Sequence, residues 1–268
     1  MAGTTDQREA FFTVAESAAG EEFLPAPHAR SWWAPGMLHG RLLGGLAARA
    51  LDRDHGDDGL HLSRLTVDLF RNAPMAPVRV ETTRVRDGRR IRVADAVVHG
   101  EGGPVARASA VLLRRAEQPS GNVPATPAWD APAPEAFTAA RDEPWTIWMF
   151  DEENRPIRRW EEGVGRRRAW LRDGCELVAD EPLSPLIRTA LAADAASPLS
   201  HAGDAGLQFI NADYTVCLSR LPLSEAIGLE SAAHSSDEGI AVGHVTLHDT
   251  SGPIGYCMTT AVANVRNA

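Results

Sequence analysis

The chain has 268 residues, which is enough for one large domain or two of roughly 100–150 residues. Its composition, 44% apolar and 24% charged, is that of a folded protein. The net charge of -9 excludes general attraction to nucleic acid, because nonspecific binding to nucleic acid depends on basic residues that neutralise phosphates. No apolar stretch approaches the roughly 18 residues of a membrane helix, and the N-terminus lacks the basic-then-apolar order of a signal peptide, so we expect a cytoplasmic protein with no membrane partner.

The first predicted helix covers residues 36–54, because the leucines and alanines of GMLHGRLLGGLAARALDRD recur at helical spacing. Four segments with period-2 alternation follow, bounded by Gly, Pro and Asp, as is typical of antiparallel strands. Their sequences are LTVDLFR, VRVETTRV, IRVADAVVH and VARASAVLLRR. We therefore predict one helix followed by a four-stranded meander.

Residues 117–136, EQPSGNVPATPAWDAPAPEA, separate this half from the next. They are rich in Pro and Ala and lack periodicity, which is the composition of a partly extended linker. We predict two domains, residues 1–116 and 137–268, joined by this linker.

A basic run at residues 158–168, RRWEEGVGRRR, is interpreted first as a solvated turn. The alternative is a contact for the phosphates of a nucleotide-bearing ligand.

A second helix is predicted to begin at the Ser184–Pro185 pair, since Ser and Pro are typical of helix starts. An apolar run follows, and it ends at Asp194. A carboxylate is costly to bury unless it has a partner, so Asp194 is a candidate functional residue. The alternative is a carboxylate that turns to solvent or bonds nearby backbone amides.

Residues 65–111 match residues 214–260 at a constant offset of 149, with ten identities in 47 positions where chance gives roughly three. The identical pairs are Thr66/Thr215, Val67/Val216, Leu69/Leu218, Arg71/Arg220, Glu81/Glu230, Ile91/Ile240, Val93/Val242, His99/His248, Gly103/Gly252 and Pro104/Pro253. The two halves are therefore predicted to be copies of one unit.

Arg71 and Arg220 each end a strand before a proline turn, and we assign both a structural role.

The predicted fold class is α+β. An apolar helix followed by a curved antiparallel sheet is buried best when the sheet wraps the helix. Two such sheets paired edge to edge hide edges that would otherwise be exposed. We therefore expect two antiparallel sheets that each wrap one helix and join into one continuous sheet.

Four stretches carry a resemblance to a known family: WWAPGMLHGRLLGGLAARAL, WLRDGCELVADEPLSPLIRTALAAD, FINADYTVCLSR and LHDTSGPIG. They resemble the acyl-CoA thioesterase-like family with a double (tandem) hotdog fold, the relatives of bacterial thioesterase II. The resemblance covers nearly the whole chain except the linker and the N-terminal tail. It implies hydrolysis of an acyl-CoA substrate to free acid and coenzyme A, with no metal and no covalent cofactor. It also suggests a homo-oligomer, since hotdog sheets often pair further.

The resemblance also implies site residues. In the relatives an Asp at the end of the second helix, a Thr or Asn opening the next strand and a Gln on the last strand hold the attacking water. These positions fall here on Asp194, on Asn211 and on Thr259 or Thr260. The Gln is absent, and a Thr hydroxyl is shorter and offers a single donor.

Substrate-binding residues are expected at the start of the first helix and among the tryptophans. His39 and Gly40 would supply donors to the oxyanion, because a helix N-terminus presents free N–H groups. The tryptophans cluster before each helix and are mostly expected to pack at the joint, while some of them, including Trp33, would line an acyl channel.

Two other functions stay open. Loss of the Gln allows a noncatalytic or degenerate acyl-CoA binding protein. The string DAASPLSH, from Asp194 to His201, is similar to the signature of hotdog enoyl-CoA hydratases. Its spacing is too long by two residues, and Ser197 stands where an Asn is usual.

Overall fold

The computed structural model describes residues 9–17, 20–137, 143–163 and 165–264. The elements of the N-terminal half are β1 (Phe12–Ser17), β2 (Gly20–Pro25), α1 (Gly40–His55), β3 (Leu60–Leu69), β4 (Arg79–Asp87), β5 (Ile91–Gly100) and β6 (Gly103–Arg114). Those of the C-terminal half are β7 (Trp145–Phe150), β8 (Pro156–Ile157), β9 (Arg168–Asp173), α2 (Pro185–Ala193), α3 (Ala196–His201), β10 (Phe209–Asn211), β11 (Asp213–Leu218), β12 (Ile227–Asp237), β13 (Ile240–Asp249) and β14 (Gly252–Ala263). None of these helices is long and apolar enough to cross a membrane.

One antiparallel sheet of 12 strands runs through both halves. Its order is β4-β5-β6-β3-β11-β14-β13-β12-β9-β7-β8, and β10 pairs with β14 beside this path. At the centre, β3 and β11 pair with Thr66 opposite Thr215. These two threonines are equivalent in the sequence repeat, so a pseudo-twofold axis passes between them. The α+β fold with one continuous sheet, predicted from the sequence, is confirmed.

The predicted strand order within each half is wrong in one respect. Strand β3 pairs with β6 rather than with β4, and β11 likewise pairs with β14 rather than with β12. Only the last three strands of each half form a meander. Period-2 alternation shows which face of a strand is buried but not which strand lies beside it. The observed order leaves β3 and β11 each with a free edge, and these two edges form the joint.

Helix α1 begins at Gly40, later than the predicted residue 36. Gly36 has a φ of +72°, which a right-handed helix cannot contain, and His39 caps the helix from an extended conformation. The helix packs against β5 and β6. The inner face of these two strands carries small buried side chains that let the helix approach closely, namely Ala94, Ala96, Ala106, Ala108 and Ala110.

The later part of the linker of residues 117–136 contacts the C-terminal part of the sheet. The Trp129 indole stacks on the His248 ring with centroids 4.4 Å apart and planes within 1°. Trp170 Nε1 donates a hydrogen bond to the Pro132 carbonyl at 2.8 Å. The linker is therefore packed against the C-terminal half. Parts of the proposed domain ranges, residues 1–8, 138–142 and 265–268, lie outside the described residues.

A glycine on α1 allows a tyrosine of the other half to reach the helix pair. A Cβ at Gly44 would lie 1.8 Å from the Tyr214 hydroxyl oxygen and 2.9 Å from its Cζ. Tyr214 is fully buried, and its hydroxyl donates to the Ala190 carbonyl of α2 at 3.1 Å. Because this side chain is held on both sides, it has no room to move away from an added methyl group.

We expect Gly44→Ala to lower the free energy of unfolding by about 1–3 kcal/mol, the usual cost of overpacking a core. Gly203→Ala is the control, because a Cβ there meets no atom within 4 Å, and it should change stability by no more than about 0.5 kcal/mol. Urea denaturation measures both. In a Tyr214→Phe background the Gly44→Ala cost should shrink, since the nearest atom is gone. Equal losses for the two alanine variants would contradict the packing argument.

Candidate active site

The helix that carries Asp194 is interrupted at that residue. Helix α2 ends at Ala193 and α3 begins at Ala196, so Asp194 and Ala195 lie in the break. The Ala195 N–H donates to the Ala192 carbonyl at 3.0 Å, which is the tighter spacing of a 3₁₀ turn. Asp194 thus follows the last residue of α2, and its side chain faces the joint between the halves.

Side chains from three other elements hold the break open. They donate to helix carbonyls that the interrupted ladder leaves available, as is usual where a side chain inserts into a helix. The bonds run from the Tyr214 hydroxyl to Ala190 at 3.1 Å, from Arg41 Nε to Leu191 at 3.3 Å and from Cys257 Sγ to Ala193 at 3.7 Å. Sequence reasoning missed all three donors, because the pattern shows the helix but not its partners.

Arg41 is itself anchored in the second half. Its guanidinium pairs with Asp173, and both side chains are only 2% exposed. It also lies over the Trp145 ring, 4.6 Å from the centroid. Burial raises the pKa of Asp173, and the guanidinium of Arg41 opposes that rise. This buried pair fixes the start of α1 against the C-terminal half.

The Asp194 carboxylate is nearly enclosed, with its side chain 14% exposed. Asn211 Nδ2 donates to Asp194 Oδ1 at 2.9 Å. Burial raises the pKa of Asp194, while the Asn211 hydrogen bond and the charge of Arg41 partly offset that rise. A carboxyl with a raised pKa in a cleft is a common feature of general bases. The structure thus brings together two of the residues predicted from the sequence.

His39 lies beside Asp194 but forms no ion pair with it. Its Nδ1 accepts the Arg41 backbone N–H at 3.4 Å and is 3.9 Å from Asp194 Oδ2. Burial, together with the charge of Arg41, lowers the pKa of His39 to about 3, so the ring is neutral. The hydrogen-bond pattern places its proton on Nε2, an enclosed atom with no hydrogen-bond partner among the described residues.

Gly40 brings the N-terminus of α1 against the carboxylate. A Cβ at this position would lie 3.9 Å from Asp194 Oδ1 and 3.2 Å from Leu69 Cδ1. Gly40 is the first residue of the helix, and the first N–H groups of a helix have no acceptor within it. The N-terminus of the helix of one half therefore lies beside the carboxylate of the other half.

A cavity of about 210 Å³ opens beside Asp194 and takes its walls from both halves. Trp33, His39 and Gly40, predicted to bind substrate, all line it. The other lining residues are Met37, Leu38, Leu43, Leu69, Arg71, Asn72, Ala73, Asp194, Ile210, Asn211, Ala212 and Val262. The lining is mostly apolar with a few polar groups, which is typical of small-molecule sites.

A narrower crevice of about 20 Å³ lies on the other side of Asp194 and His39. Trp32, Trp145 and Trp160 line it. Several tryptophans at the joint thus line the crevice. Trp33 lines the larger cavity.

Thr259, predicted to orient the water, is placed differently. It is buried on β14, and its hydroxyl donates to the Asp213 carbonyl at 2.9 Å. It is not among the described side chains that line either cavity at Asp194. Its neighbour Thr260 donates its hydroxyl to the Asp213 carboxylate at 2.8 Å. The structure therefore does not bring Thr259 to the cavity beside Asp194, because its hydroxyl is hydrogen-bonded to the Asp213 carbonyl.

Two other predicted features lie away from the cavity. His201, which a hydratase would need near Asp194, contacts His234 through their Nδ1 atoms at 2.8 Å. In the basic run, Arg166 pairs with Glu152 at 3.2 Å and Arg159 pairs with Glu162 at 3.0 Å. Val164 of that run is outside the described residues. Two arginines of the run are therefore each paired with a neighbouring carboxylate.

Two family models match the chain. Residues 29–113 match the model of the acyl-CoA thioesterase N-terminal domain, and residues 118–263 match that of the C-terminal domain. No curated protein matches the chain.

Solved structures share the fold at low sequence identity. A tesB protein of Mycobacterium avium subspecies paratuberculosis is 16% identical with a TM-score of 0.66, covering 90% of this chain and 92% of that one. An acyl-CoA thioesterase II, TesB2, from Mycobacterium marinum is 16% identical with a TM-score of 0.62, at 85% and 91% coverage. A hot dog fold protein of unknown function from Alicyclobacillus acidocaldarius is 18% identical with a TM-score of 0.69, at 92% and 94% coverage.

Asp194→Asn should make the protein more stable at neutral pH. A carboxyl whose pKa is raised by folding contributes stability below its unfolded pKa and loses it as pH rises through the folded pKa. The neutral amide avoids that loss, so we expect a gain of about 0.5–2 kcal/mol at pH 7. Urea denaturation at pH 7 and pH 4 measures it. The gain should shrink at the lower pH, and an Asn variant less stable than wild type at pH 7 would refute the argument.

Proposed function

The chain belongs to the acyl-CoA thioesterase family and is a thioester hydrolase, and we propose that it hydrolyses acyl-CoA by means of a water molecule activated by Asp194. One observation carries the proposal. A nearly buried carboxylate, held by Asn211 at 2.9 Å, shares a cavity with the N-terminus of the opposite helix. Base and oxyanion donors therefore face the same space from the two halves.

Asp194 acts as the general base in the ionised form. It takes a proton from the water, whose oxygen attacks the thioester carbonyl carbon. Its raised pKa makes the carboxylate a better proton acceptor than an ordinary Asp. The hydrogen bond from Asn211 fixes the Asp194 oxygen atoms in one orientation. Asn211 is thus a positioning residue for the base.

The N-terminus of α1 stabilises the charge that develops on the carbonyl oxygen. Gly40 is the first residue of α1, and a Cβ there would lie 3.9 Å from Asp194 Oδ1, so its backbone N–H is the proposed donor, and the helix dipole adds to it. Lacking a side chain, Gly40 lets the carbonyl approach the backbone. The neutral His39 beside it adds no competing charge to the Asp194 carboxylate.

Collapse of the tetrahedral intermediate breaks the carbon–sulfur bond. The proton held by Asp194 passes to the departing sulfur, so free acid and coenzyme A leave and the carboxylate is restored. The apolar walls formed by Leu43, Leu69 and Ile210 suit the acyl group.

We expect Asp194→Asn to lower kcat/KM for acyl-CoA hydrolysis by at least about 100-fold, since it removes the base while keeping the side-chain shape. Release of free thiol from a panel of acyl-CoAs measures the rate. Asp68→Asn is the matched control: Asp68 lies on the joint strand β3 and pairs with Arg107 at 3.1 Å, so it should leave the rate unchanged.

An Asp194→Asn rate equal to that of wild type would end the catalytic assignment and favour a noncatalytic acyl-CoA binding protein. Loss of enoyl absorbance from an enoyl-CoA without thiol release would instead indicate a hydratase.

Replacing Asn211 should move the acid limb of the pH profile. The Asn211 hydrogen bond favours the ionised form of Asp194 and so lowers its pKa. In Asn211→Leu that bond is lost, the pKa rises further, and the acid limb of kcat/KM shifts to higher pH. Thr259→Val is the control: its hydroxyl donates to Asp213, so the limb should stay in place. An unshifted limb in Asn211→Leu would remove Asn211 from the mechanism.

A further inference from the structure

The duplicated arginines have different partners in the two halves. Arg220 forms a two-pronged ion pair with Asp249, with its Nη1 2.6 Å from Oδ2 and its Nη2 2.8 Å from Oδ1. The Asp249 side chain is fully buried, and it also accepts the backbone N–H groups of Leu223 and Ser251. This arginine is structural, as we expect of both arginines from their position before a proline turn.

In the first half the acidic partner is missing. The offset of 149 that relates Arg71 to Arg220 places Gly100 where Asp249 stands. The structure agrees with that correspondence, because Gly100 pairs with Gly103 at the β5–β6 turn as Asp249 pairs with Gly252 at the β13–β14 turn. Arg71 donates instead to the Gly102 carbonyl at 2.5 Å, and no described carboxylate lies within ion-pair distance of it.

Arg71 is also in a different place with respect to the site. It lines the 210 Å³ cavity together with Asp194 and Asn72. Among the described residues of that lining it is the one cationic side chain, because His39 is neutral. The chain as a whole carries a net charge of -9, so an anionic ligand that enters the cavity needs a local positive charge. A guanidinium can bind a phosphate or carboxylate through two parallel hydrogen bonds.

We infer that Arg71 is a specificity-determining residue that binds an oxyanion of the substrate at the cavity, an inference that rests on the proposed function. Two parts of an acyl-CoA can supply this chemistry: a phosphate of coenzyme A, or a carboxylate at the far end of the acyl group. With glycine at position 100, the guanidinium has no carboxylate partner among the described residues and can make that contact with its remaining N–H groups.

The test compares KM for three substrates in wild type and Arg71→Gln. Hexanoyl-CoA carries phosphates, the adipoyl thioester of N-acetylcysteamine carries a terminal carboxylate, and the hexanoyl thioester of N-acetylcysteamine carries neither. We expect KM to rise about tenfold for at least one of the two anionic substrates, with kcat retained, since one charge-assisted contact is lost. KM for the neutral thioester should not change. The affected substrate identifies the source of the oxyanion.

Gly100→Asp and Gly100→Asn form a matched pair that tests the same contact without altering Arg71. A Cβ at Gly100 would lie 3.1 Å from Val105 Cγ1, so both variants require the same small shift of that side chain. The Asp variant recreates the ion pair of the second half and should raise KM as Arg71→Gln does, whereas the Asn variant should resemble wild type. Thermal melting checks that the two are equally folded.

An equal KM for Gly100→Asp and Gly100→Asn, or a rise in KM of Arg71→Gln for the neutral thioester as well, would overturn the inference. Failure of the proposed function looks different: wild type then releases no thiol from any of the three substrates. In that case dissociation constants for coenzyme A and for adipate, measured calorimetrically in the same variants, decide the inference about Arg71. A weakening of about tenfold for either anion supports it, and unchanged constants for both reject it.

Discussion

The pairing of β3 with β11 is the constraint on which the rest of the molecule depends. Thr66 faces Thr215 across the pseudo-twofold axis, and their hydroxyl oxygens are 3.0 Å apart. This register turns Tyr214 inward against α1 and the helix break. Shifting a strand by one residue would turn every side chain to the opposite face. The joint therefore fixes both the continuity of the sheet and the position of the carboxylate.

The two copies share a fold but not a helix geometry. Helix α1 is continuous over 16 residues, whereas the second copy breaks between Ala193 and Ala196. Asp194 is exposed to the joint only because Arg41, Tyr214 and Cys257 bond the carbonyls beside it. In α1, Arg49 instead pairs with Glu181 at 2.5 Å and with Glu21 at 3.4 Å. The charged side chain of Arg49 thus forms ion pairs in the first half, whereas the charged side chain at the break of the second helix lines the cavity.

The sequence predicts the fold further than it predicts the site. The repeat at an offset of 149 indicates two copies, and Asp194 is identifiable as a carboxylate at the end of an apolar helix. The order of β3 and β6 is not accessible, because alternation reports burial and not neighbours. Thr259 illustrates the limit of a resemblance: a motif gives the position, but the direction of a hydroxyl depends on the nearest acceptor, here the Asp213 carbonyl. The side chains that brace the break come from distant segments, and no local pattern marks them.

Covalent fusion is what permits the interrupted helix to exist in a single copy. In an assembly of identical chains, any residue that bends one helix bends its symmetry mate too, and both must bear the loss of main-chain bonds. A tandem chain is released from that symmetry. Its first helix can remain an unbroken support whose Arg41 reaches across to steady the bent one, so evolution can alter either half without imposing the same change on the other.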